Sequence, residues 1–205
     1  MTPWANFMDH LLPDVPGCVP AMAVIALRHA AREFCERTKV WDVWLDPQNT
    51  FSGTVEYDFE IDRTQEVVKL LQATLAGAPL AILSVNDLPA DWNEGGHCPR
   101  GIFTQDRRTF NLLPKMADGL EIRTRVALKP SITATGVEDS IFSQYAEDIC
   151  TGAKARLMFS PKKPYTDNAL AALHRDTFGK RCDAVARQVE KSFSRTPRRT
   201  TAVFF

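Results

Sequence analysis

Cysteine is sparse and scattered in this chain. Cys18, Cys35, Cys98, Cys150 and Cys182 are odd in number and never spaced as CxxC, which argues against a disulfide framework and against a zinc knuckle. His97 and Cys98 adjoin, but Gly95, Gly96 and Pro99 around them favour a turn, and no further ligand lies close by. Neither a metal nor a cofactor is expected.

Charge of one sign is equally lacking: Lys plus Arg and Asp plus Glu number 25 each, so no whole-molecule field draws the protein onto nucleic acid or an anionic membrane. No run approaches the roughly 18 apolar residues of a membrane span. The opening MTPWANFMDHLLP has neither the basic segment nor the apolar segment of a signal peptide. No membrane partner is expected, and synthesis is placed in a reducing cytoplasm.

Catalytic signatures are missing too. GxSxG, the Walker loop, GxGxxG and HExxH do not occur. His10, His29, His97 and His174 are spread along the chain, and each reads as a surface or core-edge residue. The acidic neighbours Glu138–Asp139 and Glu147–Asp148 diverge by about 100 degrees on a helix and share no face. Glu138 and Asp139 suit a helix N-terminus, where the macrodipole favours negative charge. No catalytic residue is assigned, and the chain is not expected to be an enzyme.

What is present is an ordinary globular composition, 44% hydrophobic and 24% charged over 205 residues, enough for one domain with a normal core. Pro20 suits a first helical turn. Val24, Leu27, Ala31, Phe34 and Cys35 then recur at three-to-four spacing, with Arg28, Arg32, Glu33 and Glu36 elsewhere, which predicts an amphipathic helix to about Lys39. Trp41, Val43 and Leu45 switch to a period of two. Val55, Tyr57, Phe59 and Ile61 alternate with polar residues and predict a strand over 54–61.

Hairpins are predicted from Glu66–Leu75 into Pro79–Leu83 across Ala76–Gly77, and from Ile102–Gln105 into Thr109–Leu113. A brief helical turn is read over Ser84–Trp92, and a further strand at Leu120, Ile122 and Val126. Helical spacing returns in Ile141, Phe142, Tyr145, Ile149, Ala153 and Leu157. A basic corner follows at Ser160–Pro164, then a cap at Thr166 or Asp167. A last stripe runs through Leu170, Leu173, Phe178, Cys182, Val185, Val189 and Phe193.

The predicted fold class is α+β, mainly α: a helical bundle of three long helices with an inserted small antiparallel β-region and an extended C-terminal arm. Residues 1–193 form the single domain, with the bundle drawn from 20–40 and 138–193 and the β-rich insertion from 41–130. The segment before Pro20 has no assigned role.

Residues 194–205 form the arm. From Lys180 onward Lys180, Arg181, Arg187, Lys191, Arg195, Arg198 and Arg199 face only Asp183 and Glu190. After Pro197 the stretch PRRTTAVFF carries no helical stripe and finishes on Val203, Phe204 and Phe205. Basic residues followed by apolar anchors describe a docking segment, in which Arg pairs with carboxylates and aromatics enter pockets. Folding back of Phe204 and Phe205 onto the subunit's own core is the bland counterpart. Contact of the basic run with DNA phosphate is a weaker reading, because no aromatic-interleaved groove accompanies it.

ALRHAAREFCERTKVW at 26–41 resembles the first long helix of the head-to-tail adaptor proteins of short-tailed phages, where Arg-Thr-x-x-Trp feeds into a strand. The resemblance continues through the strand at 54–61, the hairpin turn at 74–80, RVALKPS at 125–131 and GAKARLMFSPKKPYTD at 152–167. It covers residues from about 20 to 193. The run from Ala155 to Thr166 is its most specific piece, and the segment before Pro20 does not match.

The resemblance implies a virion structural protein at the head–tail junction. It would form a homo-oligomeric, twelve-fold ring beneath the portal protein that extends the DNA channel, with DNA passing through unread, and would offer a platform for a distal tail or nozzle protein. It also implies that a portal-docking arm, here Arg195, Pro197, Arg198, Arg199, Val203, Phe204 and Phe205, reaches the portal. Two other readings stay open: a nucleic-acid-binding phage accessory protein using the basic C-terminal region with Lys162 and Lys163, and a small hydrolase using unrecognised carboxylates.

Overall fold

The structure is a computed structural model that describes residues 1–88 and 100–191. The chain opens on a two-residue strand, β1 (Thr2–Pro3), and a short helix, α1 (Met8–Leu11). The segment with no assigned role thus belongs to the core: Trp4, Phe7, Leu11 and Val15 are buried, and the Trp4 indole N–H donates to the Ala134 carbonyl at 2.8 Å.

Helix α2 (Pro20–Thr38) begins with its proline in the first turn, where the missing N–H costs nothing. Its stop is Lys39, left-handed at φ 55, whose N–H reaches the Cys35 carbonyl. Ala23, Ala30 and Ala31 on its inner face are fully buried, and such small side chains let neighbouring elements approach closely.

Nine further strands and two helices follow. They are β2 (Asp42–Trp44), β3 (Gln48–Asn49), β4 (Glu56–Asp58), β5 (Gln65–Leu75), β6 (Ala78–Pro79), β7 (Gly101–Phe103), β8 (Thr109–Leu113), β9 (Glu121–Pro130), β10 (Gly136–Val137), α3 (Asp139–Met158) and α4 (Asn168–Glu190). Asp167 caps α4 by accepting from the Leu170 N–H at 2.9 Å. Helix α3 departs from helical geometry at Tyr145, with φ −131.

All named strand pairs are antiparallel. β9 carries β2 and β3 on one edge and β5 on the other, with β6 beyond β5; β4, β8 and β7 form a second sheet, and β1 pairs with β10. β5 turns into β6 through Ala76 and Gly77, both at positive φ, a backbone whose twist suits a two-residue hairpin. The two larger sheets meet at a parallel bridge between Ile82 and Ile102. Gly101 permits this approach, because a Cβ there would lie 2.5 Å from the Leu83 side chain. Bulges in β5 between Val67 and Lys69 and between Leu70 and Gln72 sharpen the twist, and the sheets curl into a half-barrel.

The expectation of a mainly α bundle of three long helices is therefore corrected. Among the described residues there are four helices, and strand makes up 25% against 42% helix, in three antiparallel sheets. The 11-residue β5 and 10-residue β9 form a long ladder, and α2 packs on β9 as well as on α3 and α4. A sheet that supplies one wall of the core is not an insertion. The extended C-terminal arm of the prediction lies outside the described residues.

The last helical stripe is also only partly buried. Phe178, Cys182 and Val185 are in the core, whereas Leu170 and Leu173 are exposed. The expected strand over 54–61 keeps its alternation at Tyr57 and Phe59, both buried, but its named ladder is confined to Glu56–Asp58.

Candidate functional site

Arg195, Pro197, Arg198, Arg199, Val203, Phe204 and Phe205 lie outside the described residues, as do Phe193, His97 and Cys98. The geometry that can be described begins instead at α2. Its polar face, one turn after another, presents Arg32 and Glu36 to the end of the sheet.

Arg32 sends Nη1 and Nη2 to the two carboxylate oxygens of Glu66 at 2.8 and 2.9 Å, and Nη1 also reaches the Pro130 carbonyl at 2.7 Å. The planar guanidinium fork matches a carboxylate in this bidentate way. Lys129, a buried cation in β9, donates to Glu36 at 2.9 Å and stands 3.9 Å from Glu66. Arg107, on the turn between β7 and β8, reaches Glu36 at 3.4 Å. Three cations and two carboxylates thus alternate in one seam joining α2, β5, β9 and the β7–β8 hairpin.

The electrostatics agree with the contacts. The Lys129 ammonium donating to Glu36 holds that carboxyl below its usual range, against the opposing effect of burial. The Arg32 guanidinium does the same for Glu66. Both acids are held ionised, a poor state for a proton donor near neutrality.

A cleft of about 750 Å³ opens beside the seam, lined among others by Asp58, Asp62, Arg63, Asp106 and Arg108. Asp106 is committed to its own turn, accepting from the Arg108 and Thr109 N–H groups at 2.8 and 3.0 Å. These backbone donors, Thr109 first, hold its carboxyl low. Among the described residues no cysteine or histidine lines the cleft, and its one hydroxyl, Ser131, contacts Thr133 Oγ1 at 3.1 Å. The seam is chemically a brace between helix layer and sheet.

The remaining titratable candidates fall into structural roles. Asp148 takes Arg181 Nε and Nη2 at 2.8 and 2.9 Å, while Glu147 is exposed. Asp139 begins α3 as expected and accepts from Thr2 Oγ1 at 2.7 Å. His29 is exposed and His10 lies edge-on to Phe142. His174 is pushed below its ordinary value by burial and then by Lys154. Burial pushes the Cys35, Cys150 and Cys182 thiols up to about 12, far from the thiolate a nucleophile or metal ligand requires. Among the described residues no group of three or more His, Cys, Asp or Glu is placed to hold a metal, and no helix is long and apolar enough to cross a membrane.

The corner between α3 and α4 is the other well-defined local structure. Thr166 Oγ1 donates to the Ser160 carbonyl at 2.6 Å and accepts from the Lys163 N–H at 2.9 Å. Asp167 N–H reaches back to the Met158 carbonyl. Tyr165 is buried, whereas Lys162, at φ 60, and Lys163 are exposed. Two cations are thereby presented on a closed, hydrogen-bonded loop.

Sequence reasoning missed the seam. Its available signal was charge in the wrong place: Lys129 interrupts the apolar run of RVALKP, and Glu66 opens a strand otherwise rich in Val and Leu. No family model matches the chain, and no curated protein matches it.

Proposed function

We propose that this protein is a virion structural subunit, a head-to-tail adaptor that assembles as a ring under the portal, extends the DNA channel and offers a platform for a distal tail or nozzle component. The observation that carries the reading is the ordered resemblance over about residues 20 to 193, and above all the run from Ala155 to Thr166. Within that run the residue types have physical roles, since Ala155 and Leu157 are buried, Tyr165 anchors the corner, and Thr166 closes it. A corner locked in this way holds α3 and α4 at a set angle, as a rigid ring component requires.

Each subunit would use the segment Arg195, Pro197, Arg198, Arg199, Val203, Phe204 and Phe205 to grip the portal, with many copies making individually weak contacts strong together. The isolated subunit is then monomeric or weakly associated, and the portal templates the ring. The site of action is the head–tail junction of the virion.

The test mixes purified portal rings with the full-length protein and with a chain ending at Phe193, and images both by electron microscopy. Twelve copies per portal ring for the full-length protein, and none for the shortened chain, is the expected result. Absence of full-length protein from portal rings at any ratio overturns the reading. Steeply salt-dependent binding to duplex DNA in the absence of portal would favour the nucleic-acid-binding accessory protein instead.

A further inference from the structure

Two surfaces, one among the helices and one at the Glu121 end of β9, have complementary chemistry. The first is a groove between α2, α3 and α4, made of two adjoining depressions of about 520 and 500 Å³ that share Phe159 and Arg175. Phe178 and Gly152 form part of its floor, and Gly152 is needed there because a Cβ would lie 2.8 Å from the Phe178 ring. Arg37, Arg156 and Arg175 supply three cations in the larger depression against one carboxylate, Glu33.

Glu33 is already engaged by Arg156 and Arg37, and Arg37 is held by Asp183 at 2.8 Å. Arg175 is exposed and has no ion-pair partner among the described residues. Phe159, at the end of α3, stays 41% exposed beside it. The groove thus combines an uncovered aromatic with an unmatched positive charge.

The second surface is the far end of the half-barrel. Phe51 is 61% exposed there, on a loop tied to β9 and its approach by the Thr50 N–H donating to the Leu120 carbonyl and the Gly119 N–H to the Thr50 carbonyl. Tyr57 fixes the loop from below, its hydroxyl accepting from the Phe51 N–H at 3.0 Å. Around it Glu56, Asp118 and Glu121 are exposed and have no ion pair among the described residues, with Lys115 and Arg123 the exposed cations nearby in sequence, the latter lying over the Trp44 ring. An aromatic tip on an acidic rim is the chemical converse of the groove.

The two surfaces belong to different layers of the fold, the groove to the helices and the Phe51 loop to the Glu121 end of β9. Arg32 of α2 touches Pro130 at one end of β9, and Asn49 pairs with Glu121 at the other; the intervening strand spans about 30 Å at roughly 3.3 Å per residue. The groove lies between α2, α3 and α4.

We infer that the groove receives the Phe51 loop of a second copy of this chain, with the aromatic ring against Phe159 and Phe178 and the acidic rim facing Arg175. Different patches meet on the two partners, so the contact is heterologous and propagates head to tail, closing into a ring where the rotation allows. A desolvated aromatic anchor gives the contact its strength and the opposed charges set its register. This names the subunit interface and rests on the ring-forming reading above.

The test uses two full-length variants. Phe51→Asp removes the donor tip and leaves the groove; Arg175→Glu removes the groove's free cation and leaves the tip, and both positions are exposed, so urea melts matching the unmodified protein serve as the folding control. In sedimentation velocity up to about 1 mM protein, the unmodified chain self-associates, each variant alone is at least tenfold weaker, and the 1:1 mixture forms a heterodimer that grows no further, since it retains one intact contact. A strictly monomeric unmodified chain, or a mixture no more associated than its components, overturns the inference. Portal loading is scored separately: a chain that loads portal rings but fails the mixing test leaves the adaptor reading standing, and a mixture that pairs without portal loading leaves the contact standing.

Discussion

Arg32 on α2 and Glu66 on β5 face each other as a two-point ion pair, at 2.8 and 2.9 Å, across the junction between the helices and the sheet. The pair is half-buried, and Lys129 stands behind it, so it differs from a solvent-exposed pair that contributes little. Removing one member leaves the other charge partly desolvated and unmatched. Arg32→Ala is expected to destabilise the fold by about 2 kcal/mol. The double variant with Glu66→Ala should fall short of the sum of the singles by roughly 1 kcal/mol. Urea melts of the three variants measure both quantities, and strict additivity would mean that the pair does not couple.

The same seam sets an acid limit. Glu36 and Glu66 have folded-state values below the ordinary 4.5 of a free glutamate, because each accepts from a cation. The unfolded chain then binds more protons than the folded one as pH falls through that region. Their contribution is present above about pH 4.5 and is lost as the pH drops through the lower folded values. Stability should therefore fall below pH 4.5, and less steeply in a chain carrying Glu36→Gln and Glu66→Gln. Thermal melts between pH 3 and pH 6 give the two slopes, and identical slopes would remove the seam from the explanation.

Legibility in the sequence followed the range of the interactions. Helix α2 could be read from Pro20 to Lys39 because its evidence is local: a proline at the first turn and buried residues every three or four positions. The half-barrel could not. β5 and β9 pair across some 50 intervening positions, Gln65 with Pro130 and Leu75 with Ile122, and its curl depends on bulges that no periodicity announces. Arg32 and Glu36 looked like a wet face because polar spacing cannot tell water from a partner strand. Trp4, Phe7 and Leu11 carried helical spacing but no resemblance, and their burial depends on α3, more than a hundred residues onward.

Cys35, Cys150 and Cys182 are buried thiols pushed up to about 12. Desolvation disfavours the thiolate that reacts with disulfide reagents. In the folded protein at pH 8 a chromogenic disulfide reagent should label these three only as fast as the chain opens, and immediately in 6 M guanidinium. Mapping by mass spectrometry separates them from Cys18 and Cys98. Rapid labelling of Cys35 under native conditions would contradict its burial.

Gly152 on α3 meets Phe178 on α4 at a close approach, where a Cβ would come within 2.8 to 3.0 Å of three ring atoms. Phe178 also packs against Phe34 of α2, ring centroids 6.2 Å apart, so the ring has little freedom to give way. Gly152→Ala is expected to lose about 1–3 kcal/mol through overpacking, although alanine improves helix propensity by up to about 1 kcal/mol. A chemical melt decides the sign, and a stabilised variant would show that the ring can shift.

Leu173 and Phe178 occupy one apolar stripe in the sequence of α4, yet Leu173 is 59% exposed and Phe178 only 4%. α2 and α3 cover the latter part of the helix, around Phe178 and Cys182, and leave Leu173 uncovered. Large core side chains cost about 3–5 kcal/mol when truncated to alanine, whereas exposed substitutions usually stay within roughly 0.5 kcal/mol. Phe178→Ala should accordingly fall in the first range and Leu173→Gln in the second, in urea melts of the isolated subunit. Equal losses at the two positions would mean that Leu173 is covered as fully as Phe178, contradicting the partial cover of α4.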